Sequence, residues 1–143
     1  MVEAPIKPRG LYSLKLTART GTWNARLPEN RWASALQLQD GRVLVRASCE
    51  RGVEEARFML ALDDDTSEFH RRFSKDPLLG PATRALRGLR PRRKATVAHA
   101  TLRAICGQLI QSGRALEIER AVTRACGEEP PTREALTLMP PAA

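Results

Sequence analysis

The sequence predicts an α+β protein, in which a small antiparallel sheet comes first and helices follow. Between residues 11 and 48, apolar and polar side chains alternate over short runs, as they do in strands with one buried face. The pair Asp40-Gly41 separates two of these runs and is typical of a hairpin turn. From Val53 onward, apolar residues recur at the spacing of helices. We therefore expect a sheet domain with one helix over 1–62 and a helical domain over 63–143.

The bounds of the elements follow from local signals. Strands are predicted at 11–17, 22–27, 32–39 and 43–45. Helices are predicted to begin near Gly52, Asp65, Asp76, Thr96, Ala115 and Thr132.

Two helix starts have specific capping residues. The segment 65–68 fits a capping box, and Phe69 and Phe73, one turn apart, would form the buried face of that helix. In the pair Asp76-Pro77, the Asp fits the N-cap and the Pro fits the first helical position. Gly88 is expected to end the helix that follows.

The positive charge is concentrated in one part of the chain. The net charge is +8, and no Asp or Glu occurs between Asp76 and Glu117. That stretch contains eight basic residues, as many as the whole net excess: Arg84, Arg87, Arg90, Arg92, Arg93, Lys94, Arg103 and Arg114. Such a segment favours a polyanionic partner, with nucleic acid first. The alternative is a solvated surface in a protein that uses arginine heavily.

Several classes of function have no support in the sequence. No apolar run approaches the roughly 18 residues of a membrane span, and the first nine residues lack a secretory signal, so we expect a cytoplasmic protein without a membrane partner. The three cysteines and two histidines have no metal-ligand spacing, so no metal is expected. No Gly-x-Gly loop or Gly-x-Ser-x-Gly elbow occurs, and no cofactor is expected.

The segment 104–111 (AICGQLIQ) interrupts the helical pattern just after the basic stretch. Apolar side chains beside a cationic surface can act as wedges that unstack DNA. The alternative is a corner between two helices, where Gly107 permits close packing and Leu109 and Ile110 fill the core.

Three segments resemble the helix-hairpin-helix superfamily of DNA glycosylases, and within it the bacterial 3-methyladenine DNA glycosylase II. They are 60–65 (LALDDD) with Phe69, 88–90 (GLR), and 102–110 (LRAICGQLI) followed by Ala115. The strand-rich region 11–48 is similar to the N-terminal sheet domain of that family in order and size. The resemblance therefore covers most of the chain.

The resemblance implies base-excision repair of double-stranded DNA. Enzymes of this family flip out an alkylated purine such as 3-methyladenine and cleave its N-glycosidic bond. By this resemblance Leu109 would be the wedge, and Gln108 would contact the opposite strand. The DNA-binding residues are expected to be Gln108, Leu109, Arg90, Arg92, Arg93 and Lys94.

The sequence departs from the family in its catalytic part. It contains neither the Leu-Pro-Gly-x-Gly type of hairpin loop nor an Asp after Asp76. We therefore expect an N-terminal portion of a glycosylase with an incomplete helical domain, no catalytic residue and no activity in isolation. The missing C-terminal half would be a further partner. The alternative is a non-catalytic DNA-binding module that uses the basic stretch and the apolar wedge.

Overall fold

The predicted hairpin lies at the centre of a four-stranded sheet in a computed structural model, which describes residues 1–108 and 110–140. The strands are β1 (Val2–Ile6), β2 (Thr22–Leu27), β3 (Arg31–Gln37) and β4 (Val43–Ala47). Their order in the sheet is β1-β4-β3-β2. Val45 of β4 pairs antiparallel with Ala35 of β3 and with Ala4 of β1. At the turn, Gly41 takes a positive φ of 84°, and the Asp40 carboxylate accepts the Arg42 N–H at 3.0 Å.

Seven helices complete the α+β fold within the described residues. They are α1 (Leu14–Ala18), α2 (Glu50–Met59), α3 (Ser67–Phe73), α4 (Gly80–Ala85), α5 (Val97–Cys106), α6 (Ser112–Ala125) and α7 (Arg133–Thr137).

The chain divides into two compact units. Unit 1 comprises 1–25 and 32–93, and unit 2 comprises 26–31 and 94–143. This division does not coincide with the predicted domain boundary after Leu62. Residues 63–93 belong to unit 1 because backbone hydrogen bonds tie them to its first half. Arg93 donates its N–H to the carbonyl of Met59, and Ser13 donates to that of Gly88, both at 2.9 Å.

The core of unit 1 forms where α2 packs against β1 and β4. Alternate residues of the hairpin strands point into it, as the period of two requires, and one face of α2 covers them. The buried side chains include Ala33, Ala35, Val43, Val45, Ala47, Val53 and Ala56. Fully burying a valine stabilises a fold by about 1.5–3 kcal/mol, so the three buried valines of this layer contribute to the stability of unit 1.

The segment predicted as the first strand is instead helix α1. The Ser13 hydroxyl accepts the N–H of Leu16 at 3.3 Å and caps the helix. Leu14 and Thr17, three residues apart, are its buried residues. The Leu14 N–H donates to the Gln37 side chain at 2.9 Å, which is a contact that local alternation does not reveal.

Strand β1, which contains Pro5, was not predicted. Proline removes a backbone donor and is therefore confined to edge strands and bulges. β1 lies at the edge of the sheet and pairs with β4.

The two capping predictions in unit 1 are wrong, because the N-cap residues of α3 and α4 are Thr66 and Leu79 and neither helix has a side-chain cap. Asp65 accepts the Ser67 N–H at 2.8 Å, but α3 begins at Ser67 without a side-chain cap from Thr66. Asp76 accepts the N–H groups of Leu78 at 2.9 Å and Leu79 at 2.8 Å, and this turn precedes α4 at Gly80.

Helix α3 has no buried residue, so the prediction that Phe69 and Phe73 face a core is wrong. The two rings pack against each other with centroids 4.9 Å apart, and Phe69 is 49% exposed. Gly88, the predicted stop signal, lies three residues beyond the last residue of α4, whose C-cap is Leu86. It takes a φ of 88° after α4, and a Cβ there would lie 2.9 Å from the backbone nitrogen of Ser13.

The described residues of unit 2 form three helices, and α5 packs against α6 and α7. Thr96 caps α5 as predicted, since its hydroxyl accepts the His99 N–H at 3.0 Å. The same hydroxyl donates to the Pro131 carbonyl at 2.7 Å. Thr132 caps α7 as predicted, by accepting the Ala135 N–H. In this unit Val97 and Ile105 of α5 are largely exposed.

Candidate nucleic-acid interface

The basic residues between Asp76 and Glu117 differ in burial and in their hydrogen-bond partners. Arg90 is buried, with 1% of its surface exposed. Its guanidinium donates to the carbonyls of Ala61 at 2.6 Å, Leu11 at 3.1 Å and Arg9, and its backbone N–H donates to the Thr17 hydroxyl at 3.1 Å. The expectation that Arg90 contacts DNA is therefore wrong, because the protein already surrounds its charged group.

Tyr12 lies over the buried guanidinium of Arg90. The Arg90 guanidinium carbon is 5.0 Å from the Tyr12 ring centroid, within the range of a cation–π contact. Burial raises the pKa of the Tyr12 hydroxyl to about 12, against the lowering effects of Thr17 and Arg90. Tyr12 therefore stays neutral at physiological pH and supplies an aromatic face to Arg90.

Arg93 is partly exposed but has internal partners. One guanidinium nitrogen donates to both carboxylate oxygens of Asp64, at 3.0 and 2.8 Å, and the other donates to the Phe58 carbonyl at 3.0 Å. The guanidinium also lies over the Phe58 ring, 4.8 Å from its centroid. Arg93 thus links the 58–64 segment to the basic stretch, and its contact with DNA stays a prediction.

Arg92 differs from Arg90 and Arg93 because its side chain is exposed. Arg87 is also exposed, and it borders a depression of about 600 Å³ in unit 1 together with Arg71 and Arg84. In that depression the Arg84 guanidinium donates to the Ser74 carbonyl. Unit 1 therefore exposes the side chains of Arg71, Arg84, Arg87 and Arg92 to solvent.

In unit 2, the buried carboxylate of Glu119 contacts basic side chains of α5 and of the residues before α5. Glu119 of α6 has 5% of its side chain exposed. One of its oxygens lies 2.8 Å from the Lys94 ammonium and 2.9 Å from Nε2 of His99, and the other lies 3.0 Å from the Arg103 guanidinium. The Lys94 nitrogen is also 3.1 Å from His99 Nε2. We call these four residues the Glu119 cluster.

The pKa values of Glu119 and His99 both lie below their usual values in the cluster. Burial by itself raises the pKa of Glu119, but hydrogen bonds from Lys94 and His99 and the charges of Lys94 and Arg103 outweigh it, so the pKa lies below its usual value. Burial lowers the pKa of His99, and the Lys94 charge lowers it further, against the opposing effects of Glu119 and Glu129. Glu119 is therefore ionised and His99 neutral at pH 7.

The corner between α5 and α6 presents exposed side chains. Helix α5 ends at Cys106, and the Gly107 N–H donates to the carbonyl of Arg103. Gln108 is exposed, and Ile105 and Ile110 are 61% and 42% exposed. Among the described residues, a Cβ on Gly107 would lie 3.2 Å from the carbonyl oxygen of Arg103 and 3.7 Å from that of Ala104. Ile110 does not fill a core. Leu109, the predicted wedge, lies outside the described residues.

Metal and membrane sites are not found in the part of the chain that the structure describes. No group of three or more His, Cys, Asp or Glu residues could hold a metal ion there. Cys49, Cys106 and Cys126 are free thiols. No helix among residues 1–108 and 110–140 is both long enough and apolar enough to cross a bilayer.

The chain is similar in fold to a solved structure, the 3-methyladenine DNA-glycosylase from Archaeoglobus fulgidus. The TM-score is 0.65 at 17% sequence identity, and the match covers 90% of this chain and 50% of that one. This chain thus spans about half the length of that structure. No model of a known protein family matches the sequence, and no curated protein does. The likeness confirms the predicted glycosylase-like fold.

Sequence reasoning missed the Glu119 cluster. His99 and Arg103 are four residues apart on α5 and so share one helix face, which is a signal that the sequence does contain. Glu119 lies on another helix, 25 residues after Lys94, and no local pattern connects the two.

We predict that Arg90→Lys lowers the free energy of unfolding by about 2–4 kcal/mol, because an ammonium cannot reach all the carbonyls that the guanidinium satisfies. Chemical denaturation of the purified chain measures the loss. The control is Arg92→Lys, an exposed neighbour, which should change the stability by no more than about 0.5 kcal/mol. Equal effects of the two substitutions would contradict the structural role of Arg90.

We predict that the chain loses stability as the pH falls from about 7.5 to about 5.5. The pKa of His99 in the folded chain lies below its ordinary value of 6.5, so the unfolded chain binds more protons in this range. Denaturation across this range should show a smaller loss for His99→Gln than for the wild type. His70→Gln removes the other histidine and should keep the wild-type loss. A His99→Gln variant with an unchanged pH dependence would refute the assignment.

Proposed function

We propose that this chain binds double-stranded DNA containing a damaged base and provides part of the DNA-binding surface of a base-excision DNA glycosylase. The proposed substrate of the whole enzyme is an alkylated purine such as 3-methyladenine. The observation that carries the proposal is the fold likeness to a 3-methyladenine DNA-glycosylase over 90% of the chain. The GLR and LRAICGQLI segments support it from the sequence.

The surface of the chain fits a DNA partner. Arg92 is exposed, and Lys94 and Arg103 have 36% and 37% of their side chains exposed. Cations of this kind bind phosphates and fix the protein on the duplex without reading the sequence. In unit 2, the exposed Gln108 and Ile110 flank Leu109, the residue that we propose as the wedge into the gap left by a flipped base.

The isolated chain is proposed not to cleave the glycosidic bond. Cleavage develops positive charge on the sugar, and a carboxylate placed beside it would stabilise that charge. The sequence has no Asp after Asp76. The buried carboxylate of unit 2, Glu119, is already paired with Lys94, His99 and Arg103, so it does not offer a free negative charge to a sugar.

The second candidate is a DNA-binding module without any enzymatic role. The same lack of a downstream Asp and of a Leu-Pro-Gly-x-Gly loop favours it. The two candidates share the binding surface. They differ in whether a polypeptide carrying a catalytic carboxylate completes an active site with this chain.

We predict that the chain binds a duplex with an abasic-site analogue about tenfold more tightly than the intact duplex, a difference of about 1.4 kcal/mol. The wedge needs a gap in the base stack, and the analogue supplies one. Fluorescence anisotropy at fixed ionic strength measures both affinities. Leu109→Ala should remove most of the preference. The matched control, Leu138→Ala, changes an 85% exposed leucine of the same unit and should keep it.

Equal affinity for the two duplexes, with a steep loss on adding salt, would point to a purely electrostatic binder and contradict the wedge. Absence of binding even at low salt would contradict the proposed function as a whole.

We also predict that the purified chain releases no methylated base from alkylated duplex DNA. Chromatography of the released bases is the measurement, and an active 3-methyladenine DNA glycosylase serves as the positive control. Release above the uncatalysed background would show that the chain itself contains a catalytic carboxylate.

A further inference from the structure

We propose that Lys94 and Arg103 form a binding site for one phosphate group and that the buried carboxylate of Glu119, which His99 also contacts, positions them. The inference rests on the proposed function, since we assign the phosphate to the backbone of the bound DNA. It adds Arg103 as a binding residue and Glu119 as a positioning residue, with His99 beside the site.

The geometry brings three nitrogen groups onto one carboxylate. Lys94 and His99 share one oxygen, at 2.8 and 2.9 Å, and Arg103 lies at 3.0 Å from the other. Glu119 belongs to α6, whereas His99 and Arg103 belong to α5 and Lys94 precedes it. The carboxylate therefore holds basic side chains from separate parts of the sequence within a few ångströms of each other.

The positive charge of Lys94 and Arg103 exceeds the charge required to compensate the buried carboxylate of Glu119. A buried carboxylate requires compensation, and one cation with good hydrogen bonds supplies it. Here the cations of Lys94 and Arg103 face the single carboxylate of Glu119, so the four residues of the cluster carry a net positive charge even with His99 neutral. A phosphate oxyanion would neutralise that charge.

The exposure of the side chains gives a partner access from one side. Glu119 is 5% exposed, while the side chains of Lys94 and Arg103 are 36% and 37% exposed. An ammonium has three donors and a guanidinium five. The carboxylate takes one hydrogen bond from each cation, and the remaining donors on the exposed side are suited to charge-assisted bonds to phosphate oxygens.

The position along α5 fits the proposed interface. Arg103 lies five residues before Gln108 in the same unit, so the phosphate site and the exposed corner follow each other along one helix and its end. A phosphate contact at this place would fix the register of the corner on the duplex without reading bases.

The first test is the salt dependence of DNA binding. Each neutralised phosphate contributes about 0.9 to the slope of log affinity against log salt. Lys94→Gln, Arg103→Gln and the double variant should each lower the slope by about one, since all three lose the same phosphate. Arg120→Gln removes an equal charge from an exposed neighbour of Glu119 on α6 and should leave the slope unchanged. Wild-type slopes in both single variants would overturn the site while leaving the proposed function intact.

The second test determines whether Glu119→Gln tightens or weakens DNA binding. Removing a negative charge near a phosphate should tighten binding if charge alone matters. If Glu119 positions the cations, the variant should instead bind DNA several-fold more weakly with a lower salt slope. Circular dichroism checks that the variant folds, and the Lys94 and Arg103 variants provide the test if it does not. Tighter binding by a folded Glu119→Gln variant would overturn the positioning role.

The third test uses inorganic phosphate and does not depend on DNA. The imidazole NMR signals of His99 should shift on titration of phosphate into the wild-type chain and should not shift in the Lys94→Gln, Arg103→Gln double variant. A shift without any DNA binding would support the phosphate site and refute the assignment to a DNA backbone. Absence of both the shift and the slope change would overturn the site.

Discussion

One buried guanidinium determines how the first half of the chain is arranged. Arg90 donates to carbonyls at the start of the chain and at the end of α2, while its own backbone N–H is bound to Thr17 of α1. Ala61, one of the acceptors, has a φ of 55°, a left-handed conformation that costs a non-glycine residue about 1 kcal/mol. The start of the chain, α1 and the turn after α2 are therefore joined through one residue, Arg90.

Arginines that lie close together in the basic stretch differ in burial and in the partners of their guanidinium groups. The buried guanidinium of Arg90 donates to three backbone carbonyls, so Arg90 is a structural residue. Arg93 is bound to Asp64 and stacks on Phe58. Arg92 is exposed and remains available to a polyanion. The net charge of a segment thus predicts a class of partner, whereas burial decides which of its charges can meet that partner.

The buried carboxylate of unit 2 is paired with basic side chains. Glu119 lies against Lys94, His99 and Arg103. Cleavage of a glycosidic bond requires an anion beside the developing charge, whereas Glu119 holds cations. The same unit exposes Gln108 after the end of α5. These features support the proposed role of the chain in binding DNA.

The sequence by itself determined the features that depend on neighbouring residues. Asp40-Gly41 defined a hairpin, and Thr96 and Thr132 defined helix starts, since each acts within a few residues. The motif segments also predicted the glycosylase-like fold, which the structural likeness confirms.

Only the tertiary structure decided the features that join distant residues. Helix α1 replaces a predicted strand because Ser13 caps it and Gln37 binds its first residue. Edge position allows Pro5 in β1. The burial of Arg90 and the cluster around Glu119 depend on partners that lie tens of residues away. No local pattern records such contacts, because only folding brings their side chains together.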